Sequence, residues 1–339
     1  MGTLSTTAPS SSADLLRLAT GFWDARALAV AVELDLFTVL AKAPATLPEL
    51  CQVLGLHPRP AEALLNGLAA LGVLELAGDH YRNGAAAATW LDRAQPAYLG
   101  SLSTLAGSQF PLWSRLNTLL VTGQPQTGGH TELDGYSDEA ALRRFVESMD
   151  VLSAPCGAAL AATFDWSGRT TLVDLGGGRG NVVATVLGAH PHLRGASFDL
   201  PDLRPLFDEH VTRLGLADRM RFHAGDFFRD ELPPADVYLL GHLLADLDDE
   251  RCEQLVARVA DALPPGGTLL VYDAMIDPDR PQTWRNWLLM LNLQLVSPGG
   301  TGYRTKDCQS WLTRAGLVEV GACPLVDHET LVTGVKPRP

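Results

Sequence analysis

From Trp166 to the end of the chain, short apolar runs alternate with amphipathic helical stretches, and this alternation leaves few folds open. The runs are Thr171–Leu175, Ala196–Leu200, Met220–Ala224, Val237–Gly241, Thr268–Asp273, Val318–Ala322 and Thr330–Gly334. Strand-like runs separated by helices read as an α/β domain built on a doubly wound, mostly parallel, seven-stranded sheet. The last two runs have no helix between them, so a hairpin is expected at one sheet edge. At 339 residues the chain has room for about two domains.

The N-terminal part has a different rhythm. Residues 1–12 read as a disordered tail. A helical pattern runs from Ala13 to about Leu40, with an apolar surface broader than a lone surface helix needs, the mark of a buried or dimer-forming helix pair. Thr46-Leu47-Pro48-Glu49 is a capping box with Pro in the first turn, opening a helix that ends near Gly55. A second helix follows Pro60 and stops at Gly72. Val73–Leu76 and His80–Arg82 then form a hairpin across Ala77-Gly78-Asp79. Helix, helix, hairpin is a winged-helix pattern. DNA reading needs Lys or Arg on the second helix, and residues 60–72 contain neither, so the unit reads as a packing or dimerisation module. The expected domains are 13–100 for this module, 101–165 for a helical connector lining a substrate pocket, and 166–339 for the α/β domain.

The formal net charge of −13 argues against sequence-independent binding to nucleic acid or anionic membrane. Five scattered cysteines without a C-x-x-C pair fit free thiols in a reducing cytoplasm. The longest apolar stretches are interrupted by Asp, Glu or Gly, so no membrane span is expected.

The segment Thr171-Leu172-Val173-Asp174-Leu175-Gly176-Gly177-Gly178-Arg179-Gly180-Asn181 carries the chemistry. Glycines let the backbone approach a ligand closely and adopt positive φ. The spacing is G-x-G-x-G, shorter than the G-x-G-x-x-G of dinucleotide sites. With Asp174 just before it, the loop suits a ligand with a cationic amino-acid part and no phosphate; a plain tight βα turn is the alternative. Asp199 ends the second run, where an acid accepts ribose hydroxyls. Gly225-Asp226-Phe227-Phe228 ends the third, a carboxylate and an aromatic suited to bond and cover an adenine. All three lie at C-terminal strand ends, where open α/β sheets bind ligands.

With VDLGGGRG, FDLP, GDFF, GHLLADLDDE, LNLQLVSPGG, YRT and WLTRAGL in order, nearly the whole chain resembles a known family. These are the S-adenosylmethionine-dependent small-molecule methyltransferases of the plant caffeate/hydroxyindole O-methyltransferase type, with their bacterial relatives in antibiotic biosynthesis. The resemblance implies a Rossmann-like class I methyltransferase domain and a homodimer whose N-terminal domains interlock and help close the partner's pocket. It implies S-adenosylmethionine as cofactor and a small aromatic substrate. Asp174, Gly176, Gly178 and Gly180 would hold the methionine part, Asp199 the ribose, and Leu200, Asp226 and Phe227 the adenine. Gly241 stands where the family usually has Lys or Arg, so one cofactor contact is missing. Phe145, Met149, Trp287, Met290, Asn292 and Tyr303 would line the substrate pocket. No metal is implied.

The main departure concerns the base. The family commonly reads H-D-W-D-D after the fourth strand, with the His as general base; here the segment is Ala245-Asp246-Leu247-Asp248-Asp249. The Glu that often precedes the R-T pair is Tyr303. His242 is a replacement base or a packing His. Asp246 orients substrate or caps the loop. O-methylation is the first expectation. C-methylation, and a non-methylating reaction on the same scaffold, are alternatives, and a winged-helix regulatory or binding protein is a third class, against which the basic-free second helix and the intact glycine loop count.

Overall fold

The structure is a computed structural model that describes residues 9–95, 97–127, 139–277, 284–297 and 299–339. The greater part of the expected tail lies outside the described residues. Two compact units divide after Phe110. The expected connector is therefore no separate body: its first helix belongs to the N-terminal unit and the rest to the second.

In the first unit, α1 (Ser12–Glu33) starts within the expected tail, because Ser11 and Asp14 form a capping box that satisfies both ends of the first turn. Asp35, in the left-handed region, divides the expected helical stretch and starts α2 (Leu36–Lys42). After β1 (Ala45–Thr46), the Thr46/Glu49 capping box opens α3 (Leu47–Leu54), which stops on left-handed Gly55. Helix α4 (Pro58–Ala70) begins two residues before the expected start, so its first turn includes exposed Arg59. That corrects the expectation of a helix without basic residues: it carries one cation, with Glu62 one turn on. β2 (Leu74–Ala77) and β3 (His80–Asn83) form the hairpin, with β1 on its other side. Helices α5 (Ala85–Trp90) and α6 (Gly100–Ser108) complete the unit. Its core is Leu36, Phe37, Leu50, Leu65, Leu68 and Leu74. Leu15, Leu16, Leu18, Phe22 and Trp23 on α1 are each more than half exposed in the single chain.

The second unit begins with α7 (Phe110–Trp113), α8 (Leu116–Thr122) and α9 (Glu139–Thr163). By length and composition α9 is long and apolar enough to cross a membrane. Here its apolar residues Val146, Cys156 and Leu160 share a core with Val183 and Leu187 of α10 (Asn181–Ala189). The strands are β4 (Thr171–Leu175), β5 (Arg194–Asp199), β6 (Met220–Ala224), β7 (Val237–Gly241), β8 (Thr268–Asp273), β9 (Val318–Pro324) and β10 (Thr330–Val335). Between them run α11 (Arg204–Arg213), α12 (Asp249–Ala262), α13 (Trp284–Val296) and α14 (Thr305–Arg314). The sheet order is β6-β5-β4-β7-β8-β10-β9, parallel through β8. β10 is antiparallel to β8 and β9, which makes the expected edge hairpin.

Side chains alternate across this sheet as a period of two requires. Val173, Leu175, Leu240 and Leu269 face one core, and Leu172, Leu239, Leu270 and Tyr272 the other. Strand order reverses between β4 and β7, which opens a crevice at their C-terminal ends.

The opposite end of β4 is pinned by Asp236. Its Oδ2 accepts from Thr170 N at 2.7 Å, Thr170 Oγ1 at 2.6 Å and Thr171 N at 3.0 Å. Burial pushes this carboxyl up, and the three bonds outweigh it and hold it below the usual value. Asp236→Ala is expected to cost about 1–3 kcal/mol at neutral pH. A depressed folded-state pKa stabilises above the unfolded value and loses that contribution as pH falls through the folded one. The melting-temperature gap between wild type and variant should therefore close below about pH 4.

Candidate active site

At the crevice, the turn after β4 needs glycines for different reasons at different positions. Gly176 and Gly178 have φ of 72° and 54°, and their amides are engaged, Gly176 N donating to Phe198 O at 2.9 Å and Gly178 N to Asp199. Gly180 also has positive φ, and a Cβ there would sit 2.8 Å from Met220 and 3.0 Å from Phe207, so its lack of a side chain serves helix packing. Gly177 went unnoticed in the sequence; a Cβ there would lie 2.8 Å from both the Asp174 carboxyl carbon and Ser197 Oγ. Arg179 turns away to pair with Asp150 and Glu147 of α9.

Two acids sit beneath this turn. Asp174 is buried at the sheet's centre, and its carboxylate has no hydrogen-bond partner among the described residues. Asp199 accepts from Gly178 N at 2.8 Å and Leu200 N at 2.7 Å. Burial pushes Asp174 well above the usual carboxylate range, and the Asp199 charge adds to the rise. Burial likewise raises Asp199 to about 6, against the pull of its two backbone bonds. Buried acids with raised pKa at the C-terminal ends of parallel strands mark a ligand site. A ligand cation is the missing complement of Asp174, so the residues fit an amino-acid sulfonium. Leu200 keeps an exposed apolar face beside Asp199. Asp226 Oδ1 accepts from Phe228 N at 2.8 Å, and half-buried Phe227 packs against Phe228 with ring centroids 4.9 Å apart.

Gly241 ends β7 under the ring of Tyr272, where a Cβ would meet ring atoms at 2.2–2.4 Å. The space that a Lys or Arg stem needs is filled by an aromatic ring.

His242 follows in the left-handed region. Its Nε2 lies 3.2 Å from Glu329 Oε2, an ion-pair contact off the line of an N–H···O bond, and its ring stacks edge-on to Tyr272. Cys156 Sγ completes the cluster, all three groups within 4.8 Å of one another. Burial pulls the imidazole down, but its Cys156 hydrogen bond and the charges of Glu329 and Asp273 raise it well above the usual value. His242 is thus committed to Glu329 and Cys156, a packed ion-pair cluster rather than a free imidazole. Glu329 and Cys156 gave no sequence signal, because distant segments bring them together. Asp246 is exposed in the 3-10 turn Leu244–Asp246, and the helix cap is Asp248, which accepts from Arg251 N at 2.9 Å.

A second feature lies by Ala245. A small pocket of about 10 Å³, partly open to solvent, is lined by Ala245, Asp273, Asn286, Met290, Leu293 and Tyr303 among others. Of the expected substrate residues, Met290 and Tyr303 line it. Asn292 Oδ1 instead accepts from Trp113 Nε1 at 2.7 Å and ties α13 to α7. Phe145 and Met149 are half-buried on α9, and Trp287 is exposed on α13. Asp273, the last residue of β8, and Asn286 were missed; Asp273 was readable as one more carboxylate at a C-terminal strand end.

Residues 113–318 match the family profile described as O-methyltransferase domain, and residues 16–93 the O-methyltransferase dimerisation domain. The chain belongs to the O-methyltransferase family. It is 46% identical over 330 residues to the tetracenomycin polyketide synthesis 8-O-methyl transferase TcmO of Streptomyces glaucescens, covering 96% of this chain and 97% of that one. It is 38% identical to the N,N-dimethyltransferase OxyT of Streptomyces rimosus, covering 95% and 96%. Among solved structures, PigF with SAH aligns at a TM-score of 0.88 and 25% identity, over 96% of this chain and all of that chain. The enzyme is thus an S-adenosylmethionine-dependent methyltransferase with the class I fold.

Restoring the family's usual basic residue at Gly241 is expected to harm this O-methyltransferase. Gly241→Lys should lose about 1–3 kcal/mol of stability by overpacking against Tyr272. A Tm at or above wild type would show that the ring yields freely.

Proposed function

We propose that this enzyme methylates a phenolic hydroxyl of an aromatic, polyketide-type natural product, using S-adenosylmethionine. The observation that carries the cofactor half is the buried Asp174, which accepts no hydrogen bond among the described residues, beside Asp199 under the glycine turn. The similarity to TcmO supports the substrate half. Asp174 and the turn amides around Gly176 and Gly178 would hold the charged amino-acid end, Asp199 the ribose, and Leu200, Asp226 and Phe227 the adenine. When bound, the cofactor supplies a sulfonium-activated methyl group. The protein's part is to position the acceptor oxygen in line and to keep water out. Met290 and Tyr303 are assigned to the acceptor pocket.

The exposed apolar row on α1 supports a homodimer through the N-terminal unit, since patches of this kind mark interfaces. The five free cysteines support action in a reducing cytoplasm. Methyl transfer to an amine nitrogen is a second reading, favoured by the 38% identity to OxyT.

Labelled-methyl transfer to 1-naphthol, hydroxyanthraquinones and aromatic amines tests the proposal. Product with the phenols supports it; product with the amines alone replaces it by the second reading. Asp199→Ala should weaken cofactor binding by about 1.5–3 kcal/mol, the range for hydrogen bonds to a charged group. Unchanged affinity in calorimetric titration would overturn the ribose assignment.

A further inference from the structure

A phenol with pKa near 10 is mostly protonated at neutral pH, so a base matters by about 10²- to 10⁴-fold. Ala245 provides none, and His242 is tied to Glu329. The wall of the Ala245 pocket does contain an acceptor. Asp273 is buried there, with Oδ1 accepting from Ala274 N at 2.9 Å and Oδ2 from Tyr303 Oη at 3.2 Å. Each carboxylate oxygen keeps a further lone pair. Asn286 adds a second acceptor. Its Nδ2 donates to Met275 O at 2.8 Å and His328 O at 3.2 Å, which fixes the amide orientation. Its buried Oδ1 is left without a partner among the described residues. A hydroxyl donor is what complements such a pocket.

Resting on the phenol O-methyltransferase reading, we propose that Asp273 is the general base that takes the acceptor's proton, with Tyr303 as the residue that positions its carboxylate. The phenolic O–H bond breaks and its proton goes to the Asp273 carboxylate. The freed electron pair on oxygen forms the O–CH3 bond. The S–CH3 bond of the cofactor breaks with its pair left on sulfur, and the proton passes from Asp273 to water after product leaves.

The surroundings suit the task. Burial raises the Asp273 carboxyl to about 6, with Glu329 ahead of β10 also pushing it up. His242 after β7, the Ala274 amide and the Tyr303 hydroxyl pull it down. Cys156 of α9, Cys252 of α12, Cys308 of α14 and Tyr272 of β8 complete the titratable groups around it. A base near 6 is ionised at neutral pH and still strong enough to draw a phenolic proton.

The test is the pH–rate profile with 1-naphthol as acceptor, run beside calorimetric titration of S-adenosylmethionine. Wild type should rise with pH through about 6 and then level. Asp273→Asn should keep cofactor binding and lose roughly 10²- to 10⁴-fold at pH 7, its residual rate still climbing toward the phenol's own pKa. Tyr303→Phe removes one hydroxyl that holds the carboxylate charged, so its acid limb should move to higher pH. Ala245→His in the Asp273→Asn background should restore a plateau. A wild-type rate and profile in Asp273→Asn would overturn the proposal. If that variant does not fold, an unmoved acid limb in Tyr303→Phe overturns it. A wild type that binds cofactor yet methylates no phenol overturns the functional reading and this proposal together; an active wild type with an indifferent Asp273 overturns the proposal alone.

Discussion

Two carboxylates, Asp174 and Asp199, are buried at the ends of adjacent parallel strands. Burying carboxylates is costly, and burial raises both pKa values, against the His242 charge at Asp174 and two backbone bonds at Asp199. Parallel β4–β5 pairing sets their separation, the crossover through α10 places the glycine turn above them, and the reversal of strand order between β4 and β7 keeps the crevice open. A ligand that brings a positive charge stabilises this arrangement, and one without it does not.

The second constraint is Tyr272. Its ring takes the space over Gly241, stacks against His242, and so leaves that imidazole facing Glu329 and Cys156. One aromatic on β8 therefore removes the family's usual basic contact and spends the nearest His in an ion pair. The next residue along, Asp273, points to the opposite face of the sheet, into the pocket beside Ala245. The two departures from the family pattern, at Gly241 and Ala245, lie on opposite faces of the same strand ends.

Much of this was readable from the chain alone. β4, β7 and β8 run where the apolar runs place them, because strands buried on both faces read as continuous Val/Leu segments, and the edge strand β6 follows its alternating Met220-Arg221-Phe222 pattern. The edge hairpin followed from the missing helix between the last two runs. The point where the helical stretch 13–40 divides was not legible, because αL geometry at a non-Gly residue, Asp35, has no composition signal. The start of α4 was misread because Pro58, two residues before Pro60, serves equally well at a first turn. In the site, the acids at strand ends were visible as a pattern. The Glu329–His242–Cys156 cluster was not, since it joins three segments that only tertiary packing brings together. Asn292 looked like a pocket residue by position and is a strut to Trp113.

The central claim is that a cationic cofactor completes the buried acid pair. Calorimetry of S-adenosylmethionine binding in two buffers of different ionisation enthalpy measures the protons exchanged. If Asp174 and Asp199 bind in their ionised forms, binding at pH 6 releases protons, and the release shrinks as pH rises above that range. Binding at pH 6 with no proton exchange would contradict the account.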